Sequence, residues 1–174
     1  MMETTEPPDQ GLPLGSTETP VGTQVAAEVE QDLEQLDVDA PLVGIIMGSK
    51  SDMEVMQKAA KELEDRGIRN EVRVMSAHRD PDVVADYCKN AQMRGLKVII
   101  AGAGLAAALP GVAAAHTELP VVGVPLTSSN SVAGGLDAML AIAQMPPGVP
   151  VACVAVNGAR NAAILAARII GTGS

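Results

Sequence analysis

The segment MGSKSD, residues 47–52, combines small and hydroxyl-bearing residues in a spacing that suits anion binding. Gly48 permits a tight turn, and Ser49 and Ser51 supply hydroxyls beside the free backbone amides of a helix start. This pattern predicts a cradle for a phosphate, although it is neither the dinucleotide-binding GxGxxG nor the P-loop. A simpler interpretation is that Ser51 or Asp52 only caps the following helix.

The segment SAHRDP, residues 76–81, places two chemically capable side chains next to each other. Histidine exchanges protons near neutral pH, so His78 is a candidate acid–base group. Arg79 can bind a carboxylate or a phosphate through two parallel hydrogen bonds. The alternative is that Arg79 pairs with Asp80 or Asp82 and that His78 is a solvated loop residue.

The segment AGAGLAAALPG, residues 101–111, consists almost entirely of glycine, alanine and leucine. Where side chains are missing, a planar ring can lie against the backbone. Tight packing of a helix on a sheet uses small residues in the same way. This segment alone therefore supports both interpretations.

Five predicted strands alternate with five predicted helices in the second part of the chain. Strands that are apolar throughout predict a parallel sheet covered on both faces. The predicted fold class is α/β, a flavodoxin-like doubly wound parallel sheet with three α/β/α layers. Ligands of such folds bind beyond the carboxyl ends of the strands, where the three segments above lie. The predicted strands are 43–47, 69–75, 97–104, 120–126 and 150–156, and the predicted helices are 51–67, 81–95, 109–118, 131–145 and 159–171.

The charge of the 174-residue chain is unevenly distributed and marks a boundary near residue 40. The formal net charge is −9, and residues 1–40 hold ten acidic residues and no Lys or Arg. Prolines among polar residues predict a largely disordered acidic leader over 1–40, in which the short amphipathic segment 23–36 could form a helix. The remainder, 41–174, has a net charge of +1 and forms the predicted α/β domain.

Composition excludes several classes of protein. An acidic balance of 21 Asp and Glu against 12 Lys and Arg argues against a nucleic-acid partner. No apolar run approaches the roughly 20 residues that span a bilayer, so no membrane partner is expected. The N-terminus lacks the pattern of a signal peptide, and Cys88 and Cys153 form no CxxC pair. These features predict reduced thiols in a cytoplasmic protein.

The histidines and cysteines do not predict a metal site. His78, His116, Cys88 and Cys153 show no zinc-like spacing. His116 lies near the end of a predicted helix, where a structural role is expected because a partly cationic ring favours the helix dipole.

Six motifs occur in order through residues 43–170: MGSKSD, SAHR, AGAG…LPG, VGVP, QMPPGVPVA and NAA.LAA. The chain resembles the 5-(carboxyamino)imidazole ribonucleotide mutase family of purine biosynthesis, in its bacterial-type branch. The resemblance implies a flavodoxin-like subunit, a homo-octamer and a small-molecule ribonucleotide substrate. It also implies a carboxylate transfer from the exocyclic nitrogen to a ring carbon, without a metal or an organic cofactor. Arg in SAHR, rather than Lys, favours the mutase branch over the branch that uses carbon dioxide directly.

The same resemblance implies roles for particular residues. Within SAHR, His78 matches the family's proton-transfer residue and Arg79 a substrate-binding residue. The other residues that match the family's substrate-binding positions are Ser49, Ser51, Asp52, Ser76, Gly102, Ala103 and Gly104.

The chain departs from the family pattern in two of its loops. The third loop of the family usually reads GGAAHLPG, whereas Leu105 and Ala108 stand here in place of a Gly and the His. Asp80 follows SAHR where the family usually has Thr. Two alternatives therefore stay open: a related enzyme acting on another carboxylated heterocycle or nucleotide, and a non-catalytic nucleotide-binding scaffold subunit.

Overall fold

The computed structural model of the protein describes Val25 and residues 40–173. The predicted acidic leader, 1–40, lies outside the described residues except for Val25 and Ala40, and so does most of its amphipathic segment, 23–36.

Five strands and five helices alternate along residues 40–173. The strands are β1 (Val43–Met47), β2 (Asn70–Val74), β3 (Val98–Gly104), β4 (Val121–Leu126) and β5 (Ala152–Cys153). The helices are α1 (Met53–Glu64), α2 (Pro81–Asn90), α3 (Ala108–Ala115), α4 (Leu136–Ala143) and α5 (Ala159–Thr172), and 3-10 turns at Lys50–Asp52 and Val132–Gly135 precede α1 and α4. All strand pairs are parallel, in the order β2-β1-β3-β4-β5. The predicted doubly wound, flavodoxin-like sheet is confirmed.

The hydrophobic core has two layers, one on each face of the sheet. Ile45 of β1 packs with Met56 and Leu63 of α1, and the alanines of α5 complete this layer. The next residue, Ile46, points to the other face and packs with Val84 of α2, together with residues of α3 and α4. Because β1, β3 and β4 are covered on both faces, their continuous apolar sequences are required rather than an alternating pattern.

The last strand is shorter than the sequence predicts. A strand was expected over 150–156, but only Ala152–Cys153 pairs with β4. Pro125 explains the early end, because its carbonyl accepts a hydrogen bond from the Asn157 amide at 2.7 Å and therefore faces β5. Proline has no N–H to donate on that same side, so the ladder cannot continue.

The fourth helix also begins later than predicted. A helix was expected over 131–145, whereas α4 starts at Leu136 after a 3-10 turn. Three consecutive residues of that turn have positive φ: Ala133 at 47°, Gly134 at 67° and Gly135 at 101°. A right-handed helix cannot pass through left-handed residues. The helical spacing of the apolar residues therefore predicts a longer helix than the α4 that forms.

Gly123 allows two helices to approach β4 closely. A Cβ atom at this fully buried position would overlap the Ile142 side chain of α4 and lie 2.9 Å from Val151 Cγ1 and 3.4 Å from Pro110 Cβ of α3. The chain has no Phe and no Trp, so its core depends on such close approaches of small residues.

We therefore expect Gly123→Ala to lower the free energy of unfolding by about 1–3 kcal/mol, since the new methyl group overpacks rigid neighbours. The measurement is urea unfolding followed by far-ultraviolet circular dichroism. Gly171→Ala in α5 is the matched control: apart from its chain neighbours and the backbone of its own helix, no described atom lies within 4 Å of its Cβ position, and Ala in a helix stabilises by about 0.5–1 kcal/mol relative to Gly. Equal stabilities of the Gly123→Ala variant and the original chain would contradict the packing argument.

Candidate active site

A cavity of about 360 Å³ lies at the carboxyl ends of β1, β2, β3 and β4. Its volume is within the range of small-molecule sites, and its place in the fold is the point where the strand order reverses. Eight of the nine predicted site residues line it: Ser49, Ser51, Asp52, Ser76, His78, Arg79, Ala103 and Gly104. The remaining one, Gly102, is not in the lining.

The first wall of the cavity is the turn between β1 and α1. Ser49 caps the 3-10 turn: its Oγ accepts hydrogen bonds from the Ser51 amide at 3.2 Å and from the Ser51 hydroxyl at 2.8 Å. Asp52 directly precedes α1 but makes no side-chain capping bond to it. The capping interpretation therefore holds for neither Ser51 nor Asp52, and the Asp52 carboxyl lines the cavity. Burial raises the pKa of this carboxyl above its usual value, which hydrogen bonding to Ser51 and to the backbone of Ser49 partly offsets.

The second wall is the loop after β2, which is joined to the first. The Met75 amide donates to the Met47 carbonyl at 2.8 Å, extending the β1–β2 ladder up to the buried Ser76. The Arg79 guanidinium donates through Nη2 to the Gly48 carbonyl at 2.6 Å. Within residues 40–173 Arg79 forms no ion pair, so the alternative pairing with Asp80 or Asp82 is wrong. One guanidinium edge thus bridges both loops, and the cation stays without a carboxylate partner in the described part of the chain.

His78 is exposed and lines the same cavity. No side-chain hydrogen bond to His78 forms within the described residues, so its imidazole is available to a ligand. His116 is placed elsewhere: it follows α3 and lines a separate cavity of about 750 Å³ with residues that flank the amino ends of β4 and β5. None of the nine predicted site residues lines that larger cavity.

The third wall comes from the loop between β3 and α3. Ala103, Gly104, Leu105, Ala107, Ala108 and Leu109 line the cavity, and their side chains are apolar or absent. A Cβ atom at Gly102 would meet Met56 and Leu126, so this glycine serves helix–sheet packing rather than the cavity. The packing interpretation therefore holds for Gly102, whereas Ala103 and Gly104 line the cavity, and a planar ring against their backbone stays a prediction.

Sequence reasoning missed a fourth wall. Thr127 and Ser128 follow β4 and line the cavity. Asn157, which follows β5, holds Thr127 in place: its Oδ1 accepts from the Thr127 amide at 3.1 Å and its Nδ2 donates to Thr127 Oγ1 at 2.9 Å. The run TSSNS directly after an apolar strand was the available signal, because polar residues at that edge face ligands.

The edge strand β2 is fixed to α2 by a charged cluster. The Glu71 carboxylate accepts from the Tyr87 hydroxyl at 2.9 Å, from Arg94 at 2.9 Å and from Arg73 at 3.1 Å. Burial acts to raise the pKa of Glu71, but the hydrogen bonds from Arg94, Tyr87 and Arg73 together lower it. Ionised Glu71 thus holds the strand that carries Ser76, His78 and Arg79 at its end.

The lining as a whole suits an anionic ligand with a flat apolar part. Hydroxyls and one guanidinium offer hydrogen bonds to an anion, the imidazole can exchange a proton, and the third wall is apolar. Within residues 40–173 there is no group of three or more His, Cys, Asp or Glu side chains that could hold a metal ion. Nor does this part of the chain contain a helix long and apolar enough to cross a membrane.

Comparison with known proteins relates the chain to one family. The sequence pattern of the family described as AIR carboxylase matches residues 42–174. N5-carboxyaminoimidazole ribonucleotide mutase of Thermotoga maritima is 58% identical over 131 residues, which are 75% of this chain and 75% of that protein. Phosphoribosylaminoimidazole carboxylase of Saccharomyces cerevisiae is 49% identical over 160 residues, 90% of this chain but 26% of that longer protein.

A solved structure agrees with these sequence matches. The crystal structure of Treponema denticola PurE superimposes with a TM-score of 0.67 at 34% identity, covering 77% of this chain and 82% of the other. The family match spans all five strands and all five helices of the described part. The chain belongs to the AIR carboxylase family of enzymes.

Proposed function

We propose that this chain is an isomerase of de novo purine biosynthesis that converts 5-(carboxyamino)imidazole ribonucleotide to 4-carboxy-5-aminoimidazole ribonucleotide. The observation that carries the proposal is the meeting of the hydroxyl turn, the His78–Arg79 pair and the small-residue wall in one cavity. Relatives named N5-carboxyaminoimidazole ribonucleotide mutase in Thermotoga maritima and Pyrococcus horikoshii, 58% and 55% identical, support the same activity.

Substrate binding follows from the chemistry of the first three walls of the cavity. Ser49 and Ser51, with the amides of their turn, bind the phosphate, and the carboxyl of Asp52 accepts from a hydroxyl of the ligand. Arg79 binds an anionic group of the ligand, and Ser76 supports the loop from which Arg79 projects. The imidazole ring of the ligand lies against Ala103 and Gly104, where the wall has little side chain.

His78 carries the proton transfers in this proposal. As the bond between the exocyclic nitrogen and the carboxylate carbon breaks, carbon dioxide forms and the imidazolium of His78 gives its proton to the nitrogen. The ring carbon then attacks carbon dioxide, forming the new carbon–carbon bond. The neutral imidazole finally takes the proton from that ring carbon, which restores the aromatic ring and the imidazolium. Protons and electron pairs balance over the cycle, so a single histidine suffices.

Replacement of His78 tests this role. We expect His78→Asn to keep the fold and substrate binding but to lower kcat at least about a hundredfold, the usual effect of removing a general acid–base. Turnover is followed by the absorbance of the product. His116→Asn is the matched control and should retain the original kcat, because His116 lines the separate cavity. A near-normal kcat in His78→Asn would move the chemistry to another group.

Arg79→Ala should show a different kinetic signature from His78→Asn. Removing a charge-assisted contact of about 2 kcal/mol raises KM roughly thirtyfold. The same change also removes the bond to the Gly48 carbonyl, so a partial decrease of kcat is expected as well. An unchanged KM would mean that the anion binds elsewhere.

Ala108 tests whether the substrate is the one proposed. The family usually has His where Ala108 begins α3 and lines the cavity. If His78 performs the proton transfers alone, Ala108→His should leave kcat unchanged and improve affinity by at most one hydrogen bond, about 1 kcal/mol.

The unmodified chain supplies the decisive control for that experiment. The carboxylated product, at about a hundred times its Kd, should stabilise the protein by about 2.7 kcal/mol in thermal unfolding. Absence of both turnover and stabilisation, in folded protein, would favour a related enzyme for another carboxylated heterocycle. Stabilisation without turnover would favour a non-catalytic nucleotide-binding subunit.

We also propose that the chain assembles into a homo-octamer, as the family resemblance implies. Leu136 and Leu140, one turn apart on α4, are 46% and 45% exposed, and Val132 just before them is 67% exposed. A row of large apolar side chains is costly to leave in water and suits a subunit contact. Light scattering at micromolar concentration should give a mass near that of an octamer of 17.8 kDa chains. A monomeric mass would contradict this proposal.

The proposed location is the cytoplasm. Cys88 and Cys153 are both free thiols, as is usual for proteins of reducing compartments.

A further inference from the structure

Leu105 adopts a backbone conformation that leucine normally avoids. Its φ is +56°, in the left-handed region where the Cβ atom crowds the following carbonyl group. Glycine is the usual residue in such a position because it has no Cβ. The side chain of Leu105 is thus present despite an unfavourable backbone, and its place in the cavity indicates what it contributes.

Among the leucines that line the cavity, Leu105 is the one whose side chain a ligand can reach. Three leucines line the cavity: Leu105, Leu109 and Leu126. Leu109 and Leu126 are each 2% exposed and belong to the core, whereas Leu105 is 45% exposed. The loop is held in place at this point, since the Ala107 amide donates to the Gly104 carbonyl at 3.0 Å. The left-handed turn therefore presents one bulky, exposed apolar side chain beside a wall whose other residues are Gly, Ala and the buried Leu109.

We propose that the side chain of Leu105 closes the apolar wall over the reacting ring and keeps carbon dioxide in the cavity until the ring carbon attacks it. This inference rests on the proposed function. Carbon dioxide is small, neutral and apolar, so apolar side chains that exclude water also limit its escape. If it escapes after the carbon–nitrogen bond has broken and the nitrogen has been protonated, 5-aminoimidazole ribonucleotide leaves as a by-product. Leu105 is thus a positioning residue that controls how the intermediate partitions.

The experiment that tests this proposal measures how the reaction partitions between carboxylated product and by-product. The full-length assembled protein converts unlabelled 5-(carboxyamino)imidazole ribonucleotide in buffer containing ¹³C-bicarbonate. Mass spectrometry gives the ratio of 5-aminoimidazole ribonucleotide to carboxylated product and the ¹³C fraction of that product, after subtraction of the spontaneous loss without enzyme. The original chain should give little by-product and little label. Leu105→Ala and Leu105→Gly should each raise both quantities at least about fivefold per turnover.

Three variants separate the effect of the Leu105 side chain on the partition from the effect of its backbone conformation. Leu105→Ala shortens the side chain but keeps the left-handed Cβ, whereas Leu105→Gly also frees the backbone. Ala133→Gly is the matched control: Ala133 is an exposed left-handed residue, at φ 47°, that does not line the cavity. It should leave the partition unchanged. An increase in Leu105→Gly alone would assign the effect to loop rigidity and overturn the proposal.

The remaining outcomes are equally distinct. Absence of turnover in the original chain would overturn the proposed function itself. Normal turnover with an unchanged partition in both Leu105 variants would overturn the role of Leu105 while the proposed function stands. A changed mass in light scattering with an unchanged partition would assign Leu105 to a subunit contact and equally overturn the proposal.

Discussion

The parallel pairing of β1 with β3 is the constraint on which the candidate site depends. β1 lies between β2 and β3, with Met47 opposite both Val74 and Gly102. The chain therefore leaves β1 towards one face of the sheet and leaves β2 and β3 towards the other, which opens a crevice between the outgoing loops. The three motifs are separated by 23 and 19 residues in the sequence, yet they share one cavity because the parallel sheet aligns their strand ends.

Small residues make that alignment possible in a chain with a single aromatic side chain. A Cβ atom at Gly44 would overlap the hydroxyl end of Tyr87, and one at Gly102 would overlap Met56. The helices on both faces can thus lie close to the central strands, which keeps the carboxyl edge compact. The same composition that lacks large side chains for a conventional core also leaves an apolar wall of mostly small residues beside the cavity. Small residues at the end of β3 thus serve both the packing of the helices and the shape of the cavity.

How much of this structure the sequence predicts depends on the distance along the chain between the residues that interact. Apolar runs and their turns predicted the sheet, and the motifs after β1, β2 and β3 predicted eight of the lining residues. Local pattern could not show that Pro125 ends the β5 ladder, since that effect depends on a pairing between strands. For the same reason Thr127 and its partner Asn157 were missed: their two hydrogen bonds join residues thirty positions apart.

Left-handed backbone is distributed unevenly between the two edges of the sheet. At the helix-to-strand turns of residues 40–173, the positive-φ residues are Gly67, Gly95 and Gly148. At the strand-to-helix loops, the non-glycine residues with positive φ are Leu105, Ala107, Ala133 and Asn157. For leucine and alanine this conformation costs about 1–2 kcal/mol that glycine would avoid, whereas asparagine adopts it more readily. Asn157 shows what a side chain adds at such a position, because its side-chain amide holds Thr127 at the cavity through two hydrogen bonds. Within the described residues, the edge opposite the cavity thus has only glycines at its positive-φ positions, whereas the edge that carries the cavity has side chains at four of its six.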